Sequence, residues 1–330
     1  MIISRAPVRV TLGGGGTDLA SYYSRSGGFL IAGAVDRYIH ICLNRRFQQN
    51  LRLAYSETEI VESVDAVKHP LFRACLELLG LRQQLEIVSI ADIPSNCGLG
   101  TSSSFTVALL NALHTFKRDF ISLRTLAEEA CLVEIDRLGE PIGKQDQYMA
   151  AFGGVTCLTF DTDGTVHVEP LRISGGSLAE LERNILTFYT GVERSASEIL
   201  SGQSQRTEEG HGNTIDALDT IKEIGLKTRE ALEGGHLDAF GDLLHAHWET
   251  KKQLSSRISE PFLDECYEEA RKAGALGGKI MGAGGGGFFI FYCSRDQDRV
   301  VDAMKKFGLQ HTRFRFDFEG AKIVVNVKGN

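Results

Sequence analysis

Residues 94–104 read Pro94-Ser-Asn-Cys-Gly98-Leu99-Gly100-Thr101-Ser102-Ser103-Ser104. Gly98 and Gly100 allow positive φ and a close approach of the backbone. From Thr101 onward, apolar side chains recur at i, i+4 spacing, which predicts a helix to about Lys117. Hydroxyl residues thus follow a glycine turn at a helix N-terminus, where free amides and the helix dipole attract anions. The segment is either a plain capped helix or a cradle for phosphate, and the paired glycines favour the cradle.

A second glycine-rich stretch, Gly282-Ala-Gly-Gly-Gly-Gly287, lies near the end of the chain. It matches the dinucleotide-binding pattern G-x-G-x-x-G, but that pattern follows a strand and opens a helix. The residues that follow here, Phe288-Phe-Ile-Phe-Tyr292, are typical of a strand. The glycines therefore either form a tight hairpin or let the backbone lie close to a ligand or another loop.

The first predicted strand, over residues 8–12, ends at four glycines that are followed by Thr17 and Asp18. Asp18 either caps a short helix over residues 19–24 or accepts hydrogen bonds from a polyol. Glu134 lies on a helix expected over residues 123–138, and Asp146 follows a Gly/Pro turn. Acids on a surface are usually only solvated. Two carboxylates near a phosphate loop, however, suit one metal ligand and one group that faces an acceptor hydroxyl.

The composition excludes several classes of protein. Apolar residues make up 42% of the chain and charged residues 24%, which argues against a disordered or fibrous protein. A formal charge of -7 provides no basic field for nucleic acid or an anionic membrane. The seven cysteines form no Cys-x-x-Cys pair, so we expect reduced, buried thiols. With neither a signal peptide nor a run of 18 apolar residues, we expect a cytoplasmic protein.

A length of 330 residues predicts about two domains, and turn-rich sequence predicts their boundary near residues 160–180. A strand over 184–189 and a long charged helical stretch over 195–257 are expected after it. The remaining pattern is helix, strand, strand, helix, strand, strand, over residues 260–273, 277–281, 287–293, 296–306, 311–317 and 322–327. Strands separated by helices on one side predict an α+β split βαβ layer.

Together these segments resemble the GHMP kinases, the superfamily of galactokinase, homoserine kinase, mevalonate kinase and phosphomevalonate kinase. They lie in the family's order: residues 6–14 with Thr17-Asp18, then Pro94 to Ser103, then Gly143-Lys-Gln-Asp-Gln147, then 282–287. The resemblance implies an α+β, two-domain GHMP kinase fold. Residues 1–170 would form a domain like domain 2 of ribosomal protein S5, and residues 171–330 a ferredoxin-like domain, with the active site between them.

Within the family, the sequence is most similar to heptose 7-phosphate kinases. The shared patterns are Gly-Gly-Gly-Thr-Asp18, Gly98-Leu-Gly-Thr-Ser-Ser-Ser-Phe105, Gly143-Lys-Gln-Asp-Gln-Tyr148 and Tyr189-Thr-Gly-Val-Glu-Arg-Ser195. Gly15 and Gly16 stand where galactokinases have Glu-His, which removes hexose contacts and leaves space for a longer sugar. The resemblance implies phosphorylation of the anomeric hydroxyl of D-glycero-D-manno-heptose 7-phosphate, with ATP and Mg²⁺ as cofactors.

The resemblance also implies roles for single residues. Asp146 would accept the proton of the sugar hydroxyl, and Arg9 would neutralise the phosphoryl group and keep Asp146 ionised. Glu134 and a hydroxyl of Thr101 or Ser102 would ligate Mg²⁺. The residues implied for ATP are Pro94, Gly98, Leu99, Gly100, Thr101, Ser102, Ser103, Gly282 and Gly284. Those implied for the sugar are Gly15, Gly16, Thr17 and Asp18, with Lys144 and Arg194 as candidates for its phosphate.

Two other functions stay open at this point. One is a kinase of another acceptor, such as a hexose, an octose phosphate or a mevalonate-type alcohol. The other is a sugar- and ATP-binding sensor without catalysis, which would be marked by loss of Arg9, Glu134 or Asp146; all three are present. We expect a small-molecule sugar phosphate as the partner, and neither nucleic acid nor a membrane. Nothing in the sequence indicates a homo-oligomer.

Overall fold

The computed structural model describes residues 1–192, 196–255 and 257–327. In these ranges the strands are β1 Ile2–Gly13, β2 Gly28–Arg45, β3 Leu51–Ala54, β4 Thr58–Val61, β5 Leu85–Ala91, β6 Val155–Phe160, β7 Val166–Pro170, β8 Ile185–Tyr189, β9 Gly277–Ile280, β10 Phe288–Tyr292, β11 Gln310–Thr312 and β12 Lys322–Asn326. The helices are α1 Ala20–Ser26, α2 Pro70–Leu78, α3 Thr101–Lys117, α4 Leu123–Cys131, α5 Gln145–Phe152, α6 Gly175–Asn184, α7 Ala196–Glu208, α8 Gly212–Glu233, α9 Leu237–Lys252, α10 Pro261–Ala273 and α11 Gln297–Lys306. Shorter helical turns are Val64–Ala66 (3₁₀) and Leu132–Arg137 (π).

The first sheet is organised around β2, which is 18 residues long. One side of β2 pairs antiparallel with β1, and the other side pairs with β6 near its start and with β5 near its end. The strand order is β12-β1-β2-β5-β3-β4, and β7 extends the sheet beyond β6. Helix α3 packs against β1 and β2, and its apolar side chains are buried nearly all round. The predicted helix is confirmed, since α3 spans Thr101–Lys117. Its apolar side chains cover this sheet, which explains their helical spacing.

The second sheet is antiparallel with the strand order β11-β8-β10-β9. In chain order its elements run β8, α10, β9, β10, α11 and β11, with α7, α8 and α9 between β8 and α10. This is the split βαβ arrangement of a ferredoxin-like layer, so the predicted α+β fold is confirmed. The long helical stretch expected over residues 195–257 is divided into three helices by turns near Gly210 and Gly235.

The end of the chain differs from the predicted pattern. The strand expected over residues 311–317 ends at Thr312, since the following residues leave the second sheet and approach β2. There Phe316 forms a bridge with Val35, and its ring lies against Gly33. The last strand, β12, pairs antiparallel with β1 in the first sheet. The division of the chain at residue 170 stays a prediction.

Some elements of the structure do not follow from the sequence patterns described above. The β3–β4 hairpin, α2 and α6 are short, and the helix expected over residues 123–138 changes to a π turn at Leu132. Asp146, which follows the Gly/Pro turn of the sequence, lies in the first turn of α5. Within the described ranges, no helix is both long and apolar enough to cross a membrane.

Candidate active site

A cavity of about 320 Å³ is lined by residues from both halves of the chain. Arg9 reaches it from β1 and Asp146 from the start of α5, while Lys251 reaches it from α9. The turn before α3 and the loop between β9 and β10 complete the wall. The cavity thus lies where the resemblance implies an active site, between the two sheets with their helices.

Arg9 and Asp146 form a two-pronged ion pair in this cavity. Arg9 Nε donates to Asp146 Oδ1 at 2.6 Å, and Arg9 Nη2 donates to Oδ2 at 2.8 Å. The third guanidinium nitrogen, Nη1, donates to the carbonyl of Gly98 at 2.6 Å. Arg9 is buried, whereas the Asp146 side chain keeps 23% of its surface exposed. The arginine therefore fixes a carboxylate that a hydroxyl in the cavity can still reach.

The loop before α3 has the backbone that its glycines predict. Gly98 and Gly100 have φ values of 79° and 78°, and Gly100 is the N-cap residue without a side-chain cap. A Cβ at Gly100 would lie 2.9 Å from Asp146 Oδ2, so only glycine fits there. The first residues of α3, Thr101, Ser102 and Ser103, line the cavity. No side chain caps the N-terminus of α3, so it is not the plain capped helix of the first alternative. Uncapped amides at a cavity suit an anion.

Glu134 lies behind Ser102 on the π turn Leu132–Arg137, and π turns within helices are frequent at functional sites. Ser102 Oγ donates to Glu134 Oε1 at 2.6 Å, and Gln147 Nε2 donates to Oε2 at 2.7 Å. Burial raises the pKa of Glu134 to about 7, although these hydrogen bonds lower it. Among the described residues, no Lys or Arg makes an ion pair with Glu134. A buried carboxylate with a neighbouring hydroxyl and no protein cation fits a hard metal ion.

The glycine-rich loop 281–287 connects β9 to β10 and packs on the loop before α3. A Cβ at Gly282 would lie 2.7 Å from the Cα of Gly98, and one at Gly287 would lie 2.2 Å from the Cys97 carbonyl. Gly284 and Gly286 approach the backbone of Ile258 and Val192 in the same way. The two alternatives drawn from the sequence were a hairpin and a close approach of the backbone to a ligand or another loop, and each holds in part. The segment is a hairpin connection, and its glycines allow contact between loops.

Asp18 does not cap the helix that follows it, because α1 begins at Ala20 and its N-cap is Leu19. Its carboxylate instead accepts hydrogen bonds from the backbone amides of Gly16 (3.3 Å) and Gln145 (3.2 Å). Burial and the nearby charge of Asp146 raise the pKa of Asp18. A Cβ at Gly143 would lie 1.9 Å from Asp18 Oδ2. The glycine motif at 13–16 and the segment 143–146 thus meet at one side of the cavity.

The geometry agrees with the comparison to protein families. A model of the GHMP kinase N-terminal domain matches residues 64–154, and a model of the GHMP kinase C-terminal domain matches residues 228–310. The chain belongs to the GHMP kinases. As a GHMP kinase, it uses ATP to phosphorylate a hydroxyl group of a small molecule, which confirms the enzyme class expected from the sequence motifs.

Individual GHMP kinases are similar over the whole chain. The sequence is 29% identical to the D-glycero-alpha-D-manno-heptose 7-phosphate kinase of Campylobacter jejuni, over 97% of this chain and 98% of that protein. The crystal structure of a D-glycero-D-manno-heptose 1-phosphate kinase from Bacteroides thetaiotaomicron has a TM-score of 0.83 at 25% identity and covers 99% of this chain and 100% of that one. Lactococcus lactis galactokinase shares the fold, with a TM-score of 0.77 at 18% identity, over 97% of this chain and 94% of that one.

Several residues implied for ligands in this GHMP kinase lie away from the cavity. Lys144 donates to the carbonyl of Gly164 at 2.7 Å and lies over the ring of Tyr23. The Thr17 hydroxyl is buried and bonded to the carbonyls of Gly14 and Phe29. Other implied residues that do not line the cavity are Glu134, which is fully buried behind Ser102, and Pro94, Leu99 and Gly284. Arg194 lies outside the described residues. The ligand roles of all these residues stay predictions.

Three further basic residues line the cavity, namely His247, Lys251 and Lys279. None of them was indicated by the sequence motifs. His247 and Lys251 are four residues apart on α9, so they share one face of that helix. Lys279 lies on β9, three residues before Gly282. The i, i+4 spacing was visible in the sequence, but a helix with many charges usually carries such pairs on a solvated face.

Proposed function

We propose that this GHMP kinase transfers the γ-phosphoryl group of ATP to the anomeric hydroxyl of D-glycero-D-manno-heptose 7-phosphate, giving the 1,7-bisphosphate. The observation that carries this proposal is the Arg9–Asp146 pair, which presents a fixed carboxylate to a cavity beside the uncapped N-terminus of α3. The heptose assignment is supported by the names of two similar proteins that match nearly the whole chain. We also propose that the protein is cytoplasmic.

The chemistry follows from the positions of Asp146 and Arg9. As the acceptor oxygen bonds to the γ-phosphorus, Asp146 accepts the hydroxyl proton and the bond to the β–γ bridging oxygen breaks, which releases ADP. Arg9 holds the Asp146 carboxylate in place and supplies positive charge beside the group in transfer. Because phosphoryl transfer is largely dissociative, positioning by this pair contributes more than proton removal.

We infer that Ser102 and Glu134 hold Mg²⁺. A bound divalent cation supplies charge neutralisation for the phosphates. Glu134→Gln should raise the Mg²⁺ concentration needed for half-maximal activity by at least about tenfold, because a charged oxygen ligand is lost. The matched control is Asp136→Asn, since Asp136 is exposed on the same π turn. Superimposable Mg²⁺ titrations of Glu134→Gln and wild type would remove Glu134 from the metal site.

The acceptor is tested with purified protein and a coupled assay for ADP. The acceptors are D-glycero-D-manno-heptose 7-phosphate, the free heptose, glucose, galactose and an octose phosphate. We expect kcat/KM to be highest for the heptose 7-phosphate, and ³¹P NMR of the product to report a new anomeric phosphate. The names of the two relatives differ in the phosphate position, 7-phosphate and 1-phosphate. A higher kcat/KM for another acceptor would replace the proposed substrate, and absence of turnover with every acceptor would favour the sensor.

A further inference from the structure

A cluster of three basic side chains, Lys251, Lys279 and His247, borders the cavity from the C-terminal half of the chain; we call it the basic cluster. Their exposed fractions are 8%, 2% and 1%, although charged side chains are almost never this buried unless paired. All three line the same cavity as Arg9 and Asp146. Burial of basic side chains at a cavity costs free energy unless an anionic group pairs with them.

The basic cluster has no anionic partner in the part of the chain that the structure describes. Lys251 Nζ donates to the carbonyls of Ile280 and Gly282, and Lys279 Nζ contacts His247 Nδ1 at 3.1 Å. Among the described residues, none of the three side chains makes an ion pair with a carboxylate, and burial and neighbouring positive charges lower the pKa of each. Two lysines and an imidazole thus share a cavity wall with neutral partners alone.

The electrostatics reinforce this arrangement. Burial and the positive charge of Arg9 together lower the pKa of Lys251 to about 7. Burial also lowers the pKa of Lys279, and the positive charges of Lys251 and Arg9 lower it as well. A bound dianion would relieve this repulsion and favour the protonated lysines. The site therefore matches an anionic group that enters with a ligand.

The anion has two sources in this enzyme, the nucleotide and the acceptor. The uncapped amides of α3 and the Ser102–Glu134 pair already provide for the phosphates of ATP on the N-terminal half of the cavity. The basic cluster lies on α9 and β9, in the other half. Lys144, one of the two candidates for the sugar phosphate, instead donates a hydrogen bond to the carbonyl of Gly164. These placements favour the acceptor.

We propose that Lys251, Lys279 and His247 form the subsite for the phosphate group that the acceptor already carries before transfer. This inference rests on the proposed function, in which the acceptor is a sugar phosphate. Lysine ammonium groups donate charge-assisted hydrogen bonds to phosphate oxygens, and burial of these lysines strengthens such bonds. The basic cluster then selects phosphorylated sugars over free ones, while Asp146 acts on the hydroxyl.

The test compares wild type with Lys251→Met, Lys279→Met and the control Lys252→Met. Lys252 is adjacent on α9 but pairs with Glu249, at 2.8 Å. The readout is the ratio of kcat/KM for the phosphorylated heptose to that for the free heptose. We expect Lys251→Met and Lys279→Met to lower this ratio about 10- to 100-fold, because charge-assisted contacts are lost. Lys252→Met should keep the wild-type ratio.

A binding measurement without ATP or Mg²⁺ makes the result independent of turnover. Inorganic phosphate and the heptose 7-phosphate should each raise the melting temperature of wild type and of Lys252→Met, and raise it less in the two cluster variants. Thermal melts without ligand show whether each variant is folded. If Lys251→Met does not fold, Lys251→Gln and Lys279→Met carry the test.

The outcomes separate this inference from the proposed function. If wild type prefers another sugar phosphate to the heptose 7-phosphate, the heptose assignment is overturned. If the cluster variants then lower the ratio of kcat/KM for that sugar phosphate to kcat/KM for its free sugar, the basic cluster is still supported. An unchanged ratio in folded variants overturns the cluster and leaves the heptose assignment standing. A raised KM for ATP with an unchanged ratio assigns the cluster to the nucleotide. Equal stabilisation by phosphate of wild type and cluster variants also overturns the subsite.

Discussion

Asp146 and Arg9 depend on each other at the scale of single residues. Arg9 is buried, so its charge requires the carboxylate, while Asp146 needs the fixed guanidinium to hold one orientation toward the cavity. Gln145 adds a hydrogen bond from its Nε2 to Asp146 Oδ1 at 3.2 Å, and Thr11 in turn donates to Gln145 Oε1. The Asp146 carboxylate is therefore positioned by a small network.

Asp146→Asn should lower kcat about 10²–10⁴-fold with little change in the KM for ATP, because the amide cannot accept the hydroxyl proton. The measurement is steady-state kinetics with saturating acceptor, after a thermal melt has shown that the variant is folded. The control is Asp136→Asn, which makes the same chemical change at an exposed site. Unchanged turnover in folded Asp146→Asn would remove Asp146 from the mechanism.

The buried Lys251 predicts a dependence of stability on pH. Its pKa is lowered by burial to about 7 in the folded protein, compared with 10.5 when it is exposed. Between these values the unfolded chain binds the proton and the folded chain does not, so stability from this group rises with pH. The difference in free energy of unfolding between wild type and Lys251→Met should rise from pH 7 to pH 9, by up to about 1.4 kcal/mol per unit. Urea unfolding in phosphate-free buffer measures this, and parallel pH curves would contradict it.

At the scale of elements, two glycine loops and one helix N-terminus determine the shape of the site. The backbone at Gly98 contacts Gly282, so the turn before α3 and the β9–β10 connection support each other. Gly98 is also the acceptor for Arg9. We therefore expect a change in either loop to reach the ion pair through Gly98.

Gly100→Ala should lower kcat about 10- to 100-fold, because its Cβ would meet the Asp146 carboxylate and displace it. The matched control is Gly139→Ala. Gly139 has a similar φ of 69°, but nothing lies within 4 Å of its Cβ position. Both variants should lose about 1–2 kcal/mol of stability from the left-handed conformation. Equal kcat values for the two variants would show that contact with Asp146 does not matter.

At the scale of the whole molecule, the last described strand ties the end of the chain to its beginning. β12 pairs with β1, the strand that carries Arg9. Ile323 packs against the core of the first sheet, whereas Val324 is half exposed on the opposite face. The end of the chain thus stabilises the domain at which the chain starts.

Ile323→Asp should lower the free energy of unfolding by about 2 kcal/mol, because a charge replaces an apolar side chain that packs on the core. Val324→Asp, one residue away on the outer face, should change it by less than about 0.5 kcal/mol. Urea unfolding of both variants gives the comparison. Equal losses would mean that β12 does not use this face against the first sheet.

The sequence by itself determined the local features of this protein. Gly98 and Gly100 require positive φ, the spacing of apolar residues predicts α3, and the strand after residue 287 excludes a dinucleotide fingerprint. Each of these signals depends on neighbours within a few residues along the chain. The family motifs also depend on such short patterns, and for that reason the kinase class and the fold class could be predicted and are confirmed.

Only the tertiary structure decided which distant groups meet. The Arg9–Asp146 pair joins residues 137 apart in the chain; the family resemblance implies this pair, but the pattern of neighbouring residues does not, and its geometry comes from the fold. The basic cluster joins α9 to β9, and Lys144 turns to Gly164 instead of the cavity. These outcomes depend on burial and on the packing of two sheets with their helices. Whether a charged side chain on a helix faces solvent or a ligand cavity depends on how the helix packs in the fold.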